Sequence, residues 1–128
     1  IADGLHCDFK SLSIAYRLKK NRLFLITDAV TNDVSGPYSF LAKDGRFTNE
    51  AGVLSGSSLT MIEAIQNCVH KASIPLEEAI KMATVYPAEV ANLDQLGSIE
   101  VGKRACFVEL NSALEVQQVW YDGKALLN

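Results

Sequence analysis

Two short apolar segments flank an amphipathic segment in the first thirty residues. Residues 1–2 open the chain with Ile and Ala, and residues 23–27 form an apolar run of the length typical of a buried strand. Residues 11–20 carry apolar side chains at helical spacing and end in a basic turn, which favours a helix C-terminus. The order strand, helix, strand predicts a right-handed βα repeat of a parallel sheet.

A hairpin is expected in the next part of the chain. Short runs at residues 38–41 and 46–48 flank an Asp-Gly pair, a typical hairpin turn signal, and Ser-Gly-Pro at residues 35–37 predicts a further turn. This hairpin is expected to be a lid-like excursion outside the central sheet. Small residues at positions 54–58 then predict a loop.

Two helices are expected after this loop. Thr60 and Glu63 form a capping box, and the apolar residues that follow recur at the spacing of a buried helix face. Pro75 and the acidic residues after it suit the first turn of a second helix. Pro87 should end or sharply bend that helix, because the residue before a proline avoids helical geometry.

The last part of the chain predicts short strands. Residues 106–110 and 116–121 have strand composition, and Asp122-Gly123 is a tight-turn signal before residues 124–127. Two or three short strands cannot bury both faces of a sheet. We therefore expect this region to need partner strands from outside the chain.

Composition restricts the class of protein. The chain has 128 residues, 48% hydrophobic content and a net charge of −3, which argues against nucleic acid or an anionic membrane as the main partner. No apolar run approaches the roughly 20 residues that span a bilayer, and no signal peptide is visible. Three cysteines without CxxC spacing are expected to be reduced, mostly buried thiols of a cytoplasmic protein.

Asp28 and His6 are the candidate chemical groups. Each of the two residues follows a short apolar segment that is predicted to be a strand. The carboxyl ends of the strands are where α/β barrels carry their catalytic residues. Alternatives stay open, since Asp28 could be a cap or turn former and His6 a packed side chain. His70, the other histidine, is expected on the exposed side of a helix. The two histidines are not expected to lie together, and the sequence contains no Cys/His cluster. We therefore predict no metal site within this chain.

Three blocks of sequence resemble one known family. Residues 2–6 (ADGLH), 25–29 (LITDA) and 52–61 (GVLSGSSLTM) together resemble the N-acetylglucosamine-6-phosphate deacetylase family of the amidohydrolase superfamily. Residues 82–88 also fit, as do residues 96–103, whose pattern many amidohydrolases share. The resemblance covers the whole chain, which looks like only the C-terminal third of such an enzyme.

The resemblance implies an α/β fold: the C-terminal part of a metal-dependent (β/α)8 barrel plus strands of a small β-sandwich domain. Residues 1–92 would hold the last barrel strands and helices with the hairpin insertion, and residues 93–128 the C-terminal part of the small β-domain. Residues 1–5 and 23–27 would be the last two barrel strands. Cys106 departs from the Asp found in many relatives, which is expected to alter a turn and leave the chemistry untouched.

The implied reaction is hydrolysis of N-acetylglucosamine 6-phosphate to glucosamine 6-phosphate and acetate. Asp28 would be catalytic, taking a proton from the attacking water and passing it to the departing amine. The implied cofactor is a zinc-like divalent metal whose ligands lie upstream of this chain, with none bound to this chain itself. The residues implied to bind substrate are Asp3, Gly4, Leu5, His6, Leu54, Ser55 and Gly56.

The resemblance also implies a cytoplasmic homo-oligomer, expected to be a dimer, that acts on a small amino-sugar phosphate and binds neither nucleic acid nor membrane. The chain alone is expected to be inactive, because two strands cannot close a barrel. Two alternatives remain open at this point. One is another metal-dependent amidohydrolase, such as a cyclic amidase or a deaminase, and the other is a non-catalytic binding or structural module.

Overall fold

A computed structural model describes residues 1–31, 41–43 and 46–126 of the chain. The helices are α1 (Phe9–Lys19), α2 (Met61–His70), α3 (Leu76–Ala83) and α4 (Val85–Val90), with a 3₁₀ turn at Lys20–Arg22 after α1. The strands are β1 (Leu41–Lys43), β2 (Arg46–Thr48), β3 (Phe107–Leu110), β4 (Val116–Tyr121) and β5 (Lys124–Leu126). No helix among these residues is long and apolar enough to cross a membrane.

The helix starts follow the capping signals in the sequence. Asp8 caps α1, its side chain accepting a hydrogen bond from the Lys10 backbone N–H, and this helix begins two residues before the predicted start. Thr60 and Glu63 form both hydrogen bonds of the predicted capping box at the start of α2. His70 is exposed at the end of α2, as expected.

The second predicted helix breaks earlier than expected. The prediction placed the break at Tyr86-Pro87, but α3 ends at Ala83 and Thr84 leaves helical geometry, with φ −131° and ψ −76°. Pro87 instead lies inside α4, in the first turn. A proline is tolerated there because the first backbone N–H groups of a helix have no partner within the helix.

The helices pack around a core that includes both apolar segments of the N-terminal region. Ala2 and Leu25 are buried with side chains from α1 to α4. The members of this core are Ala2, Leu12, Leu25, Leu59, Ala64, Ile65, Cys68, Ala72, Ile74, Ala79, Met82 and Tyr86. The N-terminal segments, α1 and α2 are thereby joined to α3 and α4 by burial of apolar surface.

The strand pairing predicted for residues 1–5 and 23–27 is not formed among the described residues. Residues 3–7 bend, and residues 23–28 belong to no strand. The Leu25 backbone N–H donates to the carbonyl of Met82 at 2.8 Å, a bond to a helix end. Of the apolar residues in these segments, Ala2 and Leu25 are buried, whereas Phe24 and Ile26 are exposed. A strand also requires a neighbouring strand for its backbone groups.

The predicted hairpin is present. β1 and β2 pair antiparallel, with Ala42 opposite Phe47. Thr48 forms a further antiparallel bridge with Leu54, which returns the chain towards the small-residue loop. The expected Asp44-Gly45 turn, the turn at residues 35–37 and the start of the first run at residues 38–40 lie outside the described residues.

The C-terminal strands form an antiparallel sheet in the order β3-β4-β5. Phe107 lies opposite Trp120 and stacks on it with ring centroids 5.5 Å apart. The turn between β4 and β5 has positive φ at Asp122 (47°) and Gly123 (75°), the conformation that the Asp-Gly signal predicted. Gln66 of α2 donates a side-chain hydrogen bond to the carbonyl of buried Leu114 at 3.0 Å, which links the sheet region to the helices.

Candidate functional site

Asp3 and His6 form a side-chain pair at the N-terminal end of the chain. The Asp3 Oδ2 atom lies 2.6 Å from His6 Nδ1. The other carboxylate oxygen, Oδ1, accepts the backbone N–H groups of Leu5 and His6, each at 2.9 Å. Three hydrogen bonds therefore hold the Asp3 carboxylate inside the bend of residues 3–7.

These hydrogen bonds set the charge state of Asp3. Partial burial disfavours the carboxylate and raises its pKa, but the hydrogen bonds from the His6 side chain and from the backbone of His6 and Leu5 favour it. The hydrogen bonds outweigh the burial, so the pKa of Asp3 lies below its usual value of 3.8. The Asp3 carboxylate is thus ionised at neutral pH and faces the imidazole as an anion.

Gly4 makes the bend of residues 3–7 possible. Its φ is +81°, in the left-handed region that residues with a Cβ rarely adopt. A Cβ at this position would also lie 2.6 Å from the Phe9 ring. Gly4 therefore has a structural reason to be glycine besides the predicted contact with substrate.

Asp28 occupies a strained turn at the end of the apolar segment. Its φ is +53°, an uncommon value for a residue other than glycine, although Asp tolerates it better than most. The residue is exposed, and no hydrogen bond or ion pair from the described residues reaches its carboxylate. Within the described residues, Asp28 therefore caps no helix, and none of them occupies its carboxylate.

Ser57 connects Asp28 to the small-residue loop. The Ser57 backbone N–H donates to the Asp28 carbonyl at 2.8 Å, and its carbonyl accepts the Val30 N–H at 2.9 Å. The buried Ser57 hydroxyl donates to the Thr27 carbonyl at 2.6 Å and accepts the Leu59 N–H at 3.1 Å. Three of these hydrogen bonds join two segments about thirty positions apart in sequence, and the fourth, from Leu59, is local to the loop.

Gly56 permits the close approach of these two segments. Its φ is +81°, and a Cβ there would lie 2.7 Å from the Val30 side chain and 3.2 Å from the Asp28 carbonyl oxygen. A side chain at position 56 would push the loop away from Asp28. The predicted site residues Asp28 and Gly56 are thus direct neighbours.

A cavity of about 350 Å³ lies beside this loop. Of the predicted substrate-binding residues, Asp3, Leu5 and Gly56 line it. Gly4, His6, Leu54 and Ser55 do not line it, and neither does Asp28. Leu54 and Ser55 instead tie the loop to β2, through the bridge to Thr48 and a hydrogen bond from the Ser55 N–H to the Phe47 carbonyl at 2.9 Å.

Sequence reasoning missed several residues of the cavity wall. Arg46 of β2 and Lys71 after α2 add cationic groups, while Glu63 adds a carboxylate to that of Asp3. Asn67 lines the cavity and also donates to the Ala2 carbonyl at 2.8 Å, which holds α2 against the N-terminal segment. The sequence had singled out Glu63 only as a capping residue, whereas Arg46, Lys71 and Asn67 have the pattern of ordinary polar positions of a helix or hairpin.

Residues that could hold a metal do not gather within the described ranges. Across residues 1–31, 41–43 and 46–126, no group of three or more His, Cys, Asp or Glu side chains is placed to bind a metal ion. The prediction that the ligands lie outside this chain stays a prediction.

Comparison with known proteins identifies the family of the chain. The model of the amidohydrolase family matches residues 3–126, which span nearly the whole sequence. The chain belongs to the amidohydrolase family. Its members are generally metal-dependent.

Individual relatives of this amidohydrolase carry the names of sugar-phosphate deacetylases. It is 33% identical to an N-acetylglucosamine-6-phosphate deacetylase of Vibrio furnissii, over 100% of the chain and 34% of that protein. It is 36% identical to a putative N-acetylgalactosamine-6-phosphate deacetylase of Escherichia coli K12, over 97% of the chain and 79% of that protein.

A solved structure gives the same result. The crystal structure of N-acetylglucosamine-6-phosphate deacetylase from Pasteurella multocida matches 99% of the chain with a TM-score of 0.92 and 32% identity. The chain covers 36% of that structure, so it spans about a third of the length of the P. multocida and V. furnissii proteins. The predicted family and α/β fold are confirmed.

Proposed function

We propose that this chain is part of an intact, metal-dependent amidohydrolase that removes the N-acetyl group from N-acetylglucosamine 6-phosphate. The products are glucosamine 6-phosphate and acetate. Support comes from the names of the relatives and from one structural observation. The Ser57 hydrogen bonds hold the exposed Asp28 against the small-residue loop, which shares a cavity with Asp3 and Leu5. Segments far apart in sequence thus meet beside a cavity lined by Asp3, Leu5 and Gly56, which supports a substrate site there.

Asp28 is the proton carrier in this proposal. A water oxygen attacks the acetyl carbonyl carbon, and the Asp28 carboxylate takes the proton that the water loses. The C–N bond then breaks, and Asp28 delivers that proton to the departing nitrogen, because an amine leaves poorly unless it is protonated. The exposure of Asp28, the lack of a carboxylate partner among the described residues, and its positive φ support this role.

The divalent metal belongs to the intact protein in this proposal. When bound, such a metal lowers the pKa of its water and polarises a carbonyl. The described residues of this chain do not supply a donor set for it. As the family resemblance implies, its ligands would come from a part of the enzyme upstream of this chain.

The domain division belongs to the same proposal. Residues 1–92 would complete a barrel, and residues 93–128 would contribute strands to a small β-domain. A hydrogen bond from the Gln66 side chain to the Leu114 carbonyl joins a residue of each proposed part. The expectations of a homo-dimer and of a cytoplasmic location stay predictions, and light scattering of the intact protein would test the first.

Substitution of Asp28 by Asn in the intact, metal-loaded enzyme tests the proposal. Asn also tolerates positive φ, so the turn should survive while the proton carrier is lost. We expect kcat for acetate release to fall by about 10²–10⁴-fold. Asp94→Asn, the same change in an exposed loop, is the matched control and should leave kcat unchanged. Near-normal turnover of the Asp28 variant would contradict the role.

N-acetylgalactosamine 6-phosphate is the second candidate substrate, because relatives named for its deacetylation are 36% identical to this chain. The two sugars differ only in the configuration at C4. Measurement of kcat/KM for both sugars with the same intact enzyme decides between them. A kcat/KM at least tenfold higher for the galactose form would replace the first candidate with the second.

A further inference from the structure

The Asp3 carboxylate makes three hydrogen bonds within the chain. Oδ1 accepts from the Leu5 and His6 N–H groups, and Oδ2 faces His6 Nδ1 at 2.6 Å. The Asp3 side chain is only 10% exposed, whereas the His6 side chain is 21% exposed. Asp3 reaches the cavity wall, but most of its acceptor capacity is used within the chain, which leaves His6 the more accessible of the two side chains.

We propose that Asp3 is a positioning residue that holds the His6 imidazole with its proton on Nδ1, so that Nε2 is the nitrogen left for the amino sugar. This inference rests on the proposed function. Because an ionised carboxylate has only acceptors, the nitrogen that faces it must carry a hydrogen. In the neutral ring Nε2 then keeps its lone pair, and it can accept a hydrogen bond from a sugar hydroxyl.

The surroundings of His6 agree with this assignment. No hydrogen bond from the described residues reaches Nε2, so that nitrogen has no competing partner there. The bend that brings His6 back over Asp3 depends on Gly4 at φ +81°, with the Phe9 ring packed against it. The orientation of the ring is thus built into the backbone, and it does not depend on a bound ligand.

The Asp3→Asn variant separates the two roles of Asp3, which are to orient the His6 ring and to accept the backbone N–H groups of Leu5 and His6. In the Asn variant, the side-chain carbonyl oxygen can take the place of Oδ1 and accept the Leu5 and His6 N–H groups. The opposite orientation of the amide is excluded because it would place NH₂ hydrogens against these two N–H donors. Its NH₂ group then replaces Oδ2 and faces Nδ1 as a donor. The ring must respond by moving its proton to Nε2, as happens when Asn replaces the Asp that orients a catalytic imidazole.

The ring nitrogens can be observed directly. We would record ¹⁵N NMR spectra of the intact, metal-loaded protein labelled at histidine, at a pH above the usual histidine range, and assign His6 from its absence in His6→Ala. We expect Nδ1 protonated in the wild type and Nε2 protonated in Asp3→Asn. Asp8→Asn is the matched control, because Asp8 also accepts a backbone N–H but does not touch His6. The same tautomer in wild type and Asp3→Asn would overturn the proposal.

A double-mutant cycle tests whether Asp3 acts through His6. We expect Asp3→Asn and His6→Ala each to lower kcat/KM about tenfold, the effect of one lost hydrogen bond to substrate. The double variant should be no worse than His6→Ala alone. Additive losses would show that Asp3 supports the fold or binds substrate by itself, and would overturn the positioning role.

The two proposals fail in different ways. If the wild-type enzyme releases no acetate from either sugar phosphate, the proposed function is wrong, but the NMR comparison still decides whether Asp3 sets the tautomer. If the wild type is active and the Asp3→Asn variant keeps both its kcat/KM and its His6 tautomer, only the positioning role is wrong.

Discussion

The helical region and the C-terminal sheet differ in how far they bury their apolar side chains. In the helical region, side chains from all four helices and from the N-terminal segments form one buried core, although Leu76 and Ile80 of α3 remain 40% and 37% exposed. In the sheet, Val108 is 52% exposed and Leu126 is 47% exposed. Between residues 93 and 126, Leu114 alone belongs to the buried apolar set of the described residues.

The difference shows what holds each region together. Helices bury one face against each other, so the core of residues 2–86 is stabilised by removal of apolar surface from water. The sheet relies on backbone ladders, on the Phe107–Trp120 stack, and on an exposed two-bond ion pair between Arg104 and Asp122. The Trp120 Nε1 atom is buried without a partner among the described residues, which costs stability. We therefore expect the two regions to respond differently to the same substitution.

The largest effect is expected from Ile74→Ala in the helical core. Ile74 is 2% exposed, and loss of its side chain should lower the free energy of unfolding by about 2–5 kcal/mol, because a cavity remains. The matched control is Ile99→Ala, at a position 82% exposed, where we expect a change within about 0.5 kcal/mol. Urea denaturation measures both. Equal losses would contradict the difference in burial.

An intermediate effect is expected from high pH, through Cys68 of α2. Burial raises the pKa of this thiol from 9.0 to about 11. Because the folded state holds the proton more tightly, stability is complete below pH 9 and falls as the pH rises towards 11. The loss is at most a few kcal/mol, since one pKa unit corresponds to about 1.4 kcal/mol.

The control for this pH effect is Cys68→Ala, in which the fall in stability between pH 9 and 11 should flatten. Labelling with a thiol reagent at pH 8 extends the comparison to the sheet. The partly exposed Cys106 should react faster than the buried Cys68. Equal labelling rates in the folded chain would show that the core around Cys68 opens freely.

The smallest effect is expected from the capping box of α2. Thr60→Ala removes the hydroxyl that accepts the Glu63 N–H and should destabilise the chain by about 1 kcal/mol. Thr60→Ser keeps a hydroxyl at the same place and should restore most of the stability. Thermal unfolding followed by circular dichroism measures both. If Ser fails to restore stability, the Thr60 methyl group matters more than the cap.

The candidate site was partly predictable from the residues. The resemblance pointed to Asp28, His6 and Gly56, and the structure brings Asp28 and Gly56 together through Ser57. The pairing of Asp3 with His6 was not predicted. Asp3 reads as a ligand contact in sequence, because nothing in a linear motif shows which way a carboxylate turns. The cavity residues Arg46 and Lys71 come from separate elements, so no local pattern could group them.

Local chemistry along the chain was sufficient to predict several elements. The Thr60–Glu63 cap, the β1–β2 hairpin and the Asp122-Gly123 turn depend on neighbouring residues alone, so their signals are contained in a few positions. Strand pairing for residues 23–27 and the break at Thr84 depended on which segments pack nearby. Only the tertiary structure decided them, because a backbone hydrogen bond needs a partner in space. The partner of Leu25 is the carbonyl of Met82, at a helix end 57 positions away in the chain, rather than another strand.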